Sequence, residues 1–335
     1  MSELNRRLVL ARRPRGMVDH ETVRLETSER PEPGPGEALV KVTHLSIDPA
    51  IRTWMNDAVT YLPPIAIGAV IRSGGIGEVV ESRSGRYQVG DVVFGMPGWQ
   101  ECAIADESDR PMRMLPEALD PPTALNVFGI NGMTAYCGLL DVGRLQEGDC
   151  VVVSGAAGAT GSTAGQLARL KGASQVVGIA GGPEKCAYVV GELGFDAAVD
   201  YKGPGLAARL HELCPSGIDL YFDNVGGIIL DTALAQLAMR GRVVLCGAIS
   251  AYNATEIPPG PSNYVNLIAR RGRMEGFIVS DYAHRFPEAQ AEILSFLQDG
   301  RLKHAEHVVE GLEHAPDALN LLFTGGNTGK VVVRL

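Results

Sequence analysis

The sequence predicts an α/β protein with a doubly wound, parallel, six-stranded sheet and a separate β-rich domain. From about residue 122 onward, strand-like runs that are apolar on both faces alternate with helical segments such as "STAGQLARLKG". Buried parallel strands have this character. Before that point, short alternating runs are separated by turns rich in Pro and Gly, which is typical of a compact β unit.

Each element follows from its own pattern. The β-rich part contains strand-like runs at 37–47, 75–83, 91–96 and 100–105. The six parallel strands are expected at 150–154, 175–180, 197–201, 218–224, 242–248 and 274–279. The tail reads as strand, helix and strand, and we expect it to return to the first domain. The predicted domains are therefore 1–122 with 305–335, and 123–304.

Composition excludes several classes of protein. A length of 335 residues suits about two domains, and a net charge of −9 argues against a nucleic-acid or anionic-membrane partner. No run has the length of a signal peptide or a membrane span, so a cytoplasmic location is expected. The six cysteines include no C-x-x-C, which predicts free thiols and no metal site.

The run "VVVSGAAGATGSTAG" at 151–165 joins the first parallel strand to its helix. Ala156, Gly158 and Gly161 occupy the three positions of a G-x-G-x-x-G fingerprint, with alanine in place of the first glycine. Small residues there tighten the turn, let a pyrophosphate approach the backbone, and let the helix pack on the strand. The helix N-terminus offers N–H groups to the anion. The sequence therefore predicts a Rossmann domain that binds a dinucleotide.

The end of the second strand indicates which dinucleotide is bound. An NAD site places an acidic residue there for the ribose 2′-hydroxyl, but this chain has Gly181 and Gly182, then Glu184 and Lys185. Free glycine amides and a cation suit a 2′-phosphate. NADP(H) is the expected cofactor, although Lys185 could also be an ordinary solvated residue at a helix start.

Eight segments together resemble a known family. They are "LSIDPAIRTWM", "GGIGEVVESR", "VVVSGAAGATGS", "GIAGGPEKC", "YFDNVGG", "VLCGAISAYN", "MEGFIV" and "NTGKVVVRL". In order and spacing the chain resembles the zinc-independent medium-chain dehydrogenase/reductases, in particular the leukotriene B4 12-hydroxydehydrogenase, prostaglandin reductase and 2-alkenal reductase group. The resemblance implies a GroES-like N-terminal domain, a Rossmann domain and a cofactor cleft between them.

The same resemblance implies a set of cofactor residues. Residues of the glycine turn would hold the diphosphate. Residues after the second and third strands would hold the 2′-phosphate, and residues of the later turns would lie beside the nicotinamide. The residues are Gly158, Ala159, Thr160, Gly161, Gly181, Lys185, Tyr201, Asn224, Cys246, Gly247, Ala248, Ile249, Ser250, Tyr252, Phe277, Ile278, Val279 and Asn327. For Lys185, Asn224 and Cys246 the sequence pattern agrees independently.

The resemblance further implies reduction of the C=C bond of enals and enones, including substrates like 15-oxoprostaglandins, without a metal. Zinc alcohol dehydrogenases carry a Cys, a Gly-His-Glu and a four-cysteine lobe, all missing here. Tyr252 and Tyr61 are the candidate donors to the enolate oxygen. Tyr61 could equally be a packing residue.

Two alternatives stay open at the level of sequence: a zinc-free NADPH quinone reductase and a non-catalytic NADPH-binding protein. Many members of the group have Tyr at the position of Ala50, so the substrate is in doubt more than the reaction type. The resemblance also implies a homodimer, paired through the last strand of the parallel sheet.

Overall fold

The structure, a computed structural model, describes residues 4–58, 60–107 and 111–335. The chain forms two units. The first unit extends to Leu125 and resumes with Glu306–Leu335, and the second unit is Asn126–Ala305. In the described part of the chain, no helix is both long and apolar enough to cross a membrane.

The first unit is built mainly from strands. Its elements before the second unit are β1 (Leu4–Leu10), β2 (Val23–Glu29), β3 (Ala38–Ile47), α1 (Ala50–Trp54), β4 (Gly75–Ser82), β5 (Val92–Gly95), β6 (Cys102–Ala105), β7 (Arg113–Met114) and α2 (Pro121–Leu125). The four runs predicted from the sequence correspond to β3, β4, β5 and β6. The hairpin of β1 and β2 was not predicted, because its polar residues hide the alternation.

The second unit alternates strands and helices. Its elements are α3 (Ile130–Cys137), β8 (Cys150–Ser154), α4 (Ala159–Leu170), β9 (Gln175–Ala180), α5 (Pro183–Gly191), β10 (Ala197–Asp200), α6 (Leu206–Leu213), β11 (Ile218–Asp223), α7 (Gly227–Ala235), β12 (Leu237–Leu245), α8 (Asn266–Arg270), β13 (Arg273–Gly276) and α9 (Phe286–Gln298). A π-helical turn, Gly138–Val142, follows α3.

The six strands of the second unit form one sheet in the order β10-β9-β8-β11-β12-β13. Every neighbouring pair is parallel. This confirms the predicted doubly wound parallel sheet, and the order reverses direction between β8 and β11, where such sheets bind ligands.

Four of the predicted strands extend too far. They end at Asp200, Asp223, Leu245 and Gly276, one to three residues before the predicted ends. Tyr201, Asn224 and the segments 246–248 and 277–279 therefore lie in the turns beyond the strands. The N–H groups of Tyr201, Asn224 and Cys246 donate to the ends of neighbouring strands instead, and sequence periodicity does not show such bonds.

The tail completes the first unit, as predicted. It contains β14 (Glu306–Glu310), α10 (Ala315–Thr324) and β15 (Lys330–Arg334). β15 pairs antiparallel with β3 and parallel with β14, within a seven-stranded sheet. Val331 and Val333 of β15 are fully buried in the core of this unit, so the tail is an integral part of it.

The core of the second unit lies on both faces of its sheet. Val151 and Val153 of β8 pack on one face, and Val152 packs on the other. Apolar side chains on both faces are what a central parallel strand covered by helices requires. This packing fixes the strand ends that carry the candidate site.

Candidate dinucleotide and substrate site

The candidate site of the second unit follows the carboxyl edge of the sheet. Each strand ends in a turn that contains predicted site residues: from the β10 side to the β13 side, these are Tyr201, Gly181, Gly158 to Gly161, Asn224, Cys246 to Ser250, and Phe277. Strands lie about 4.8 Å apart, so six of them span roughly 24 Å. An extended dinucleotide fits along this row of six turns, which is called the row below.

The turn after β8 explains why the fingerprint begins with alanine. Gly155 takes the left-handed conformation, with φ of +61°. At Ala156 the backbone N–H still donates to the Ile179 carbonyl oxygen at 3.1 Å, and the side chain is fully buried. The residue that needs a glycine conformation is therefore Gly155, one position earlier, and Ala156 fills space beneath the turn.

The next glycines serve two different purposes. A Cβ at Gly161 would lie 2.3 Å from the carbonyl oxygen of Gly155, so α4 can pack this closely only with glycine there. A Cβ at Gly158 would meet only that same oxygen, at 3.3 Å, which leaves the outer side of the turn open. No side chain caps α4. Its first amides are therefore available to an anion.

Two lysines and a tyrosine surround the turn after β9. A Cβ at Gly181 would lie 2.9 Å from the Tyr201 ring and 3.1 Å from the Lys202 Cε, so these side chains pack over the glycine. Burial, together with the charge of Lys202, lowers the pKa of Lys185. The two ammonium groups thus share one region, and an anion placed there would relieve their repulsion.

A carboxylate also lies at this corner. Asp200 Oδ1 accepts hydrogen bonds from the Gly182 N–H at 2.8 Å and from the Lys202 N–H at 2.9 Å. These two bonds hold its pKa below the ordinary value. Asp200 therefore positions the turn at Gly182, and its Oδ1 is occupied by two backbone N–H groups.

Asp223 organises the middle of the row. Its Oδ1 accepts from the Ser154 hydroxyl at 2.8 Å, from the Tyr221 hydroxyl at 2.9 Å, and from the N–H groups of residues 225 and 226. The Asp223 carbonyl accepts from the N–H groups of Cys246 and Gly247. Burial raises the pKa of Asp223, and these bonds oppose the rise. Asp223 thereby joins the end of β8 to the turns after β11 and β12.

Asn224 is held by the same network. Its backbone N–H donates to Ser154 Oγ at 2.9 Å and its side-chain Nδ2 donates to the Ser154 carbonyl at 2.7 Å. The side chain is thereby fixed beside the glycine turn, since a Cβ at Gly155 would lie 3.4 Å from the Asn224 Cβ.

A cavity of about 620 Å³ opens at the β11, β12 and β13 end of the row. Its walls include Gly226, Cys246 to Ala248, Tyr252, Phe277 and Ile278, with Asp281 beside them. The predicted residues on the nicotinamide side are therefore brought together. Ile249 and Ser250 adjoin this wall through backbone bonds to Asn224 and Val225, and Val279 begins the next turn.

Tyr252 points its hydroxyl back over its own loop. The Ala248 N–H donates to the Tyr252 hydroxyl oxygen at 3.1 Å. A phenol that accepts such a bond becomes a stronger donor through its own O–H, because hydrogen bonds in series polarise each other. The Tyr252 side chain lines the cavity, and its role toward a substrate stays a prediction.

Cys246 lines the same cavity but is a poor nucleophile. Burial, with a smaller contribution from Asp223, raises the pKa of its thiol to about 12. The thiolate is the reactive form of cysteine, so this thiol stays neutral and unreactive at ordinary pH.

Tyr61 and Asn327 belong to the first unit. The Trp54 Nε1 donates to the Tyr61 hydroxyl at 3.1 Å, and the two rings meet edge to face at 6.3 Å. Burial, and then the nearby Asp48 carboxylate, raise the pKa of Tyr61. Asn327 is buried, and its Nδ2 donates to the Gly329 carbonyl at 2.9 Å. Their roles toward cofactor and substrate stay predictions.

Two residues of this site were missed in the sequence analysis. Lys202 follows Tyr201 directly, and a basic residue after the third strand could have been noted. Asp223 lies at the end of a strand in "YFDNVGG". An Asp at the end of an apolar strand is a detectable signal, because an unpartnered buried carboxylate is costly.

Two family models match the chain. Residues 6–112 match a model described as the N-terminal domain of oxidoreductase, and residues 159–295 match one described as zinc-binding dehydrogenase. Across the described residues, however, no group of three or more His, Cys, Asp and Glu side chains is arranged to hold a metal ion.

Relatives match over nearly the whole chain. The NADPH-dependent curcumin reductase of Escherichia coli is 42% identical over 336 residues, covering 99% of this chain and 97% of the relative. The NADP(+)-dependent 2-alkenal reductase of Nicotiana tabacum is 38% identical, covering 94% and 91%. The crystal structure of CurA from Vibrio vulnificus in complex with NADPH is 42% identical, with a TM-score of 0.92 and 98% of both chains covered.

Fold and site together define a Rossmann-type oxidoreductase with a β-rich partner unit. Given these relatives, the chain belongs to the zinc-independent medium-chain dehydrogenase/reductase family, in the group that the sequence segments indicated.

Proposed function

We propose that the protein is an NADPH-dependent double-bond reductase that reduces the C=C bond of α,β-unsaturated aldehydes and ketones. The observation that carries the proposal is the row of turns at the carboxyl edge of the sheet. It begins at Lys185 and Lys202, passes the open glycine turn, and ends at the cavity lined by Tyr252. The names of the curcumin and 2-alkenal reductases support the same reaction class.

The described residues fit NADP(H). The open side of Gly158 and the uncapped start of α4 suit the diphosphate, and the two lysines suit the 2′-phosphate. Tyr201, 43% exposed beside Gly181, offers a ring and a hydroxyl at the same corner. Asn224 and the loop 246–250 would hold the nicotinamide side. When bound, NADPH supplies the hydride.

The chain's own residues would stabilise the product of that transfer. Reduction at the β-carbon of an enone leaves negative charge on its carbonyl oxygen, and a donor placed there lowers the barrier. We assign this donor role to the Tyr252 hydroxyl, strengthened by the Ala248 N–H. Tyr61, held by Trp54, is proposed as a second donor from the first unit. The mostly apolar wall of the cavity would exclude water from the developing charge.

The substrate is proposed to be apolar and bulky. Ala50 begins α1, and its small side chain leaves room where many members of the group carry a tyrosine ring. Trp54 lies four residues on and therefore on the same face of the helix. An aromatic enone would fill the space beside Ala50 and contact the Trp54 indole.

The test is a substrate panel with both nicotinamide cofactors. We expect NADPH oxidation with an aliphatic 2-alkenal and an aromatic enone, weak oxidation with NADH, and a saturated carbonyl as the product by NMR. With cofactor deuterated at the transferred position, the label should appear on the β-carbon. Fast turnover of a quinone with inert enones would instead establish a quinone reductase, and tight NADPH binding without any turnover would establish a binding protein.

We also propose that two copies pair through β13. This strand lies at the edge of the sheet and pairs with β12. Exposed apolar side chains flank it: Ile268 is 77% exposed in α8, and Tyr264 and Val265 are more than half exposed just before that helix. A second copy would cover both this surface and the open strand edge.

A further inference from the structure

We propose that Cys150 and Cys214 form a reversible intramolecular disulfide on exposure to hydroperoxides. Their sulfur atoms lie 3.5 Å apart, although the residues are 64 positions apart in sequence. Cys150 begins β8 and is half-buried, whereas Cys214 follows α6 and is 2% exposed. Sequence spacing gives no sign of this pair, because only the fold brings them into contact.

The sulfur atoms are already in contact, so the bond requires only that they move closer. A disulfide has an S–S length of about 2.05 Å, so the sulfurs must approach by roughly 1.5 Å. Cys214 is the C-cap of α6, with φ of −120° and ψ of 62°, and is therefore outside the regular helix. Cys150 is anchored by its N–H, which donates to Asp219 Oδ2 at 2.9 Å. Closing the gap would therefore use rotation of the two side chains and movement at the end of α6.

The contact also favours the chemistry. The hydrogen bond from the Cys150 thiol lowers the pKa of Cys214 and raises that of Cys150. The pair thus gives up its first proton more readily than a lone buried thiol does, since the resulting thiolate is already hydrogen-bonded. Burial opposes this lowering of the Cys214 pKa. Cys214 is almost fully buried, so a peroxide would approach the pair from the side of the half-buried Cys150.

Oxidation proceeds in two balanced steps. The thiolate of the pair attacks one oxygen of hydrogen peroxide, the O–O bond breaks, and the products are a sulfenic acid and hydroxide. The second sulfur then loses its proton and attacks the sulfenic sulfur, which releases water. In total, two thiols and one hydrogen peroxide give one disulfide and two water molecules. A dithiol reductant reverses the reaction.

The new bond would brace one part of the second unit. It closes a segment that contains β8, α4, β9, α5, β10 and α6, with the glycine turn and the lysine corner. Cys150 and the glycine turn lie at opposite ends of β8, so cofactor affinity should change little. Closing so long a loop restricts the unfolded chain, and we expect the Tm of the oxidised protein to rise by about 5 °C.

The experiment treats the full-length protein with hydrogen peroxide and then measures its intact mass and free thiols. We expect a loss of 2 Da, four titratable thiols of the original six, and a non-reduced peptide that joins residues 150 and 214. Dithiothreitol should restore all six. The rise in Tm should accompany the loss of the two thiols.

Cys150→Ser and Cys214→Ser serve as matched variants. Neither should lose 2 Da, and neither should show the rise in Tm that the disulfide gives the unaltered protein. If the variants do not fold, the peptide map of the unaltered protein decides. A disulfide between other cysteines, a covalent dimer on a non-reducing gel, or six intact thiols after peroxide would each overturn the proposal.

Discussion

Charge at the adenosine end of the row depends on two side chains that differ in burial. Lys185 is half-buried at the start of α5, whereas Lys202 is exposed. A hydrogen bond to a charged group contributes about 1.5–3 kcal/mol when it is shielded from water, and less when it is exposed. The two lysines should therefore contribute unequally to the binding of the 2′-phosphate.

Substitution of each lysine tests this difference. We expect Lys185→Ala to raise the KM for NADPH by about 10- to 100-fold and Lys202→Ala by about 3- to 10-fold, with the KM for NADH nearly unchanged in both. Lys303→Ala, an exposed lysine outside the row, is the control. Equal effects on the two cofactors would show that neither lysine contacts the phosphate.

The lowered pKa of Lys185 predicts a pH dependence. The protonated ammonium is the form that binds phosphate, and burial and Lys202 cause it to lose its proton below the ordinary lysine pKa of 10.5. As the pH rises through that lowered pKa, the KM for NADPH should rise while the KM for NADH stays flat. In Lys202→Ala the rise should move to higher pH. Kinetics with both cofactors between about pH 7 and 10 measure this.

Tyr252 is expected to act on the substrate more than on the cofactor. Tyr252→Phe removes the O–H donor and should lower kcat by about 10- to 100-fold, with the KM for NADPH within about twofold of the original. Tyr264→Phe, an exposed tyrosine near α8, should change neither. If the KM rises while kcat is kept, the hydroxyl holds the 246–252 loop through the Ala248 N–H and is not the donor.

At the scale of elements, the turn after β8 shows what the sequence could and could not predict. The run of small residues placed a dinucleotide turn between a strand and a helix, and the structure has that strand and that helix. The pattern could not show that Gly155 takes the left-handed conformation, because the fingerprint assigns that turn to position 156. Nor could it show Asp223, whose bonds reach strands distant in sequence.

Gly161 tests the packing of α4 against this turn. Gly161→Ala would place a Cβ 2.3 Å from the Gly155 carbonyl oxygen, so α4 must shift, at a cost of about 1–3 kcal/mol. We expect a clearly lower Tm and weaker NADPH binding. Gly191→Ala is the matched control, since Gly191 ends α5 with nothing within 4 Å of its Cβ position. Alanine there should leave Tm unchanged or raise it slightly, and an equal fall in both variants would contradict the packing argument.

At the scale of the whole molecule, the order of elements was predictable and the strand ends were not. Apolar runs in β8 and β9 are long enough to be read directly, and the β-branched tail was correctly expected to return to the first domain. The hairpin of β1 and β2 escaped prediction because Arg6 and Arg7 are adjacent, so charged side chains fall on both faces of β1 and hide its alternation. Long-range hydrogen bonds fix the turns of the site, and a single sequence carries no record of them.

Pairing through β13 is a property of the whole molecule, and Ile268 offers the sharpest probe of it. Its side chain is 77% exposed in the single chain, so a charge there should not disturb the fold of one copy. In a dimer that covers this surface, Ile268→Glu would bury an unpaired carboxylate, which costs several kcal/mol per site. We therefore expect sedimentation to show a dimer for the unaltered protein and a monomer of unchanged Tm at low concentration for Ile268→Glu. Ile67→Glu, a similarly exposed isoleucine in the first unit, should remain dimeric. A dimer that survives Ile268→Glu would place the interface elsewhere.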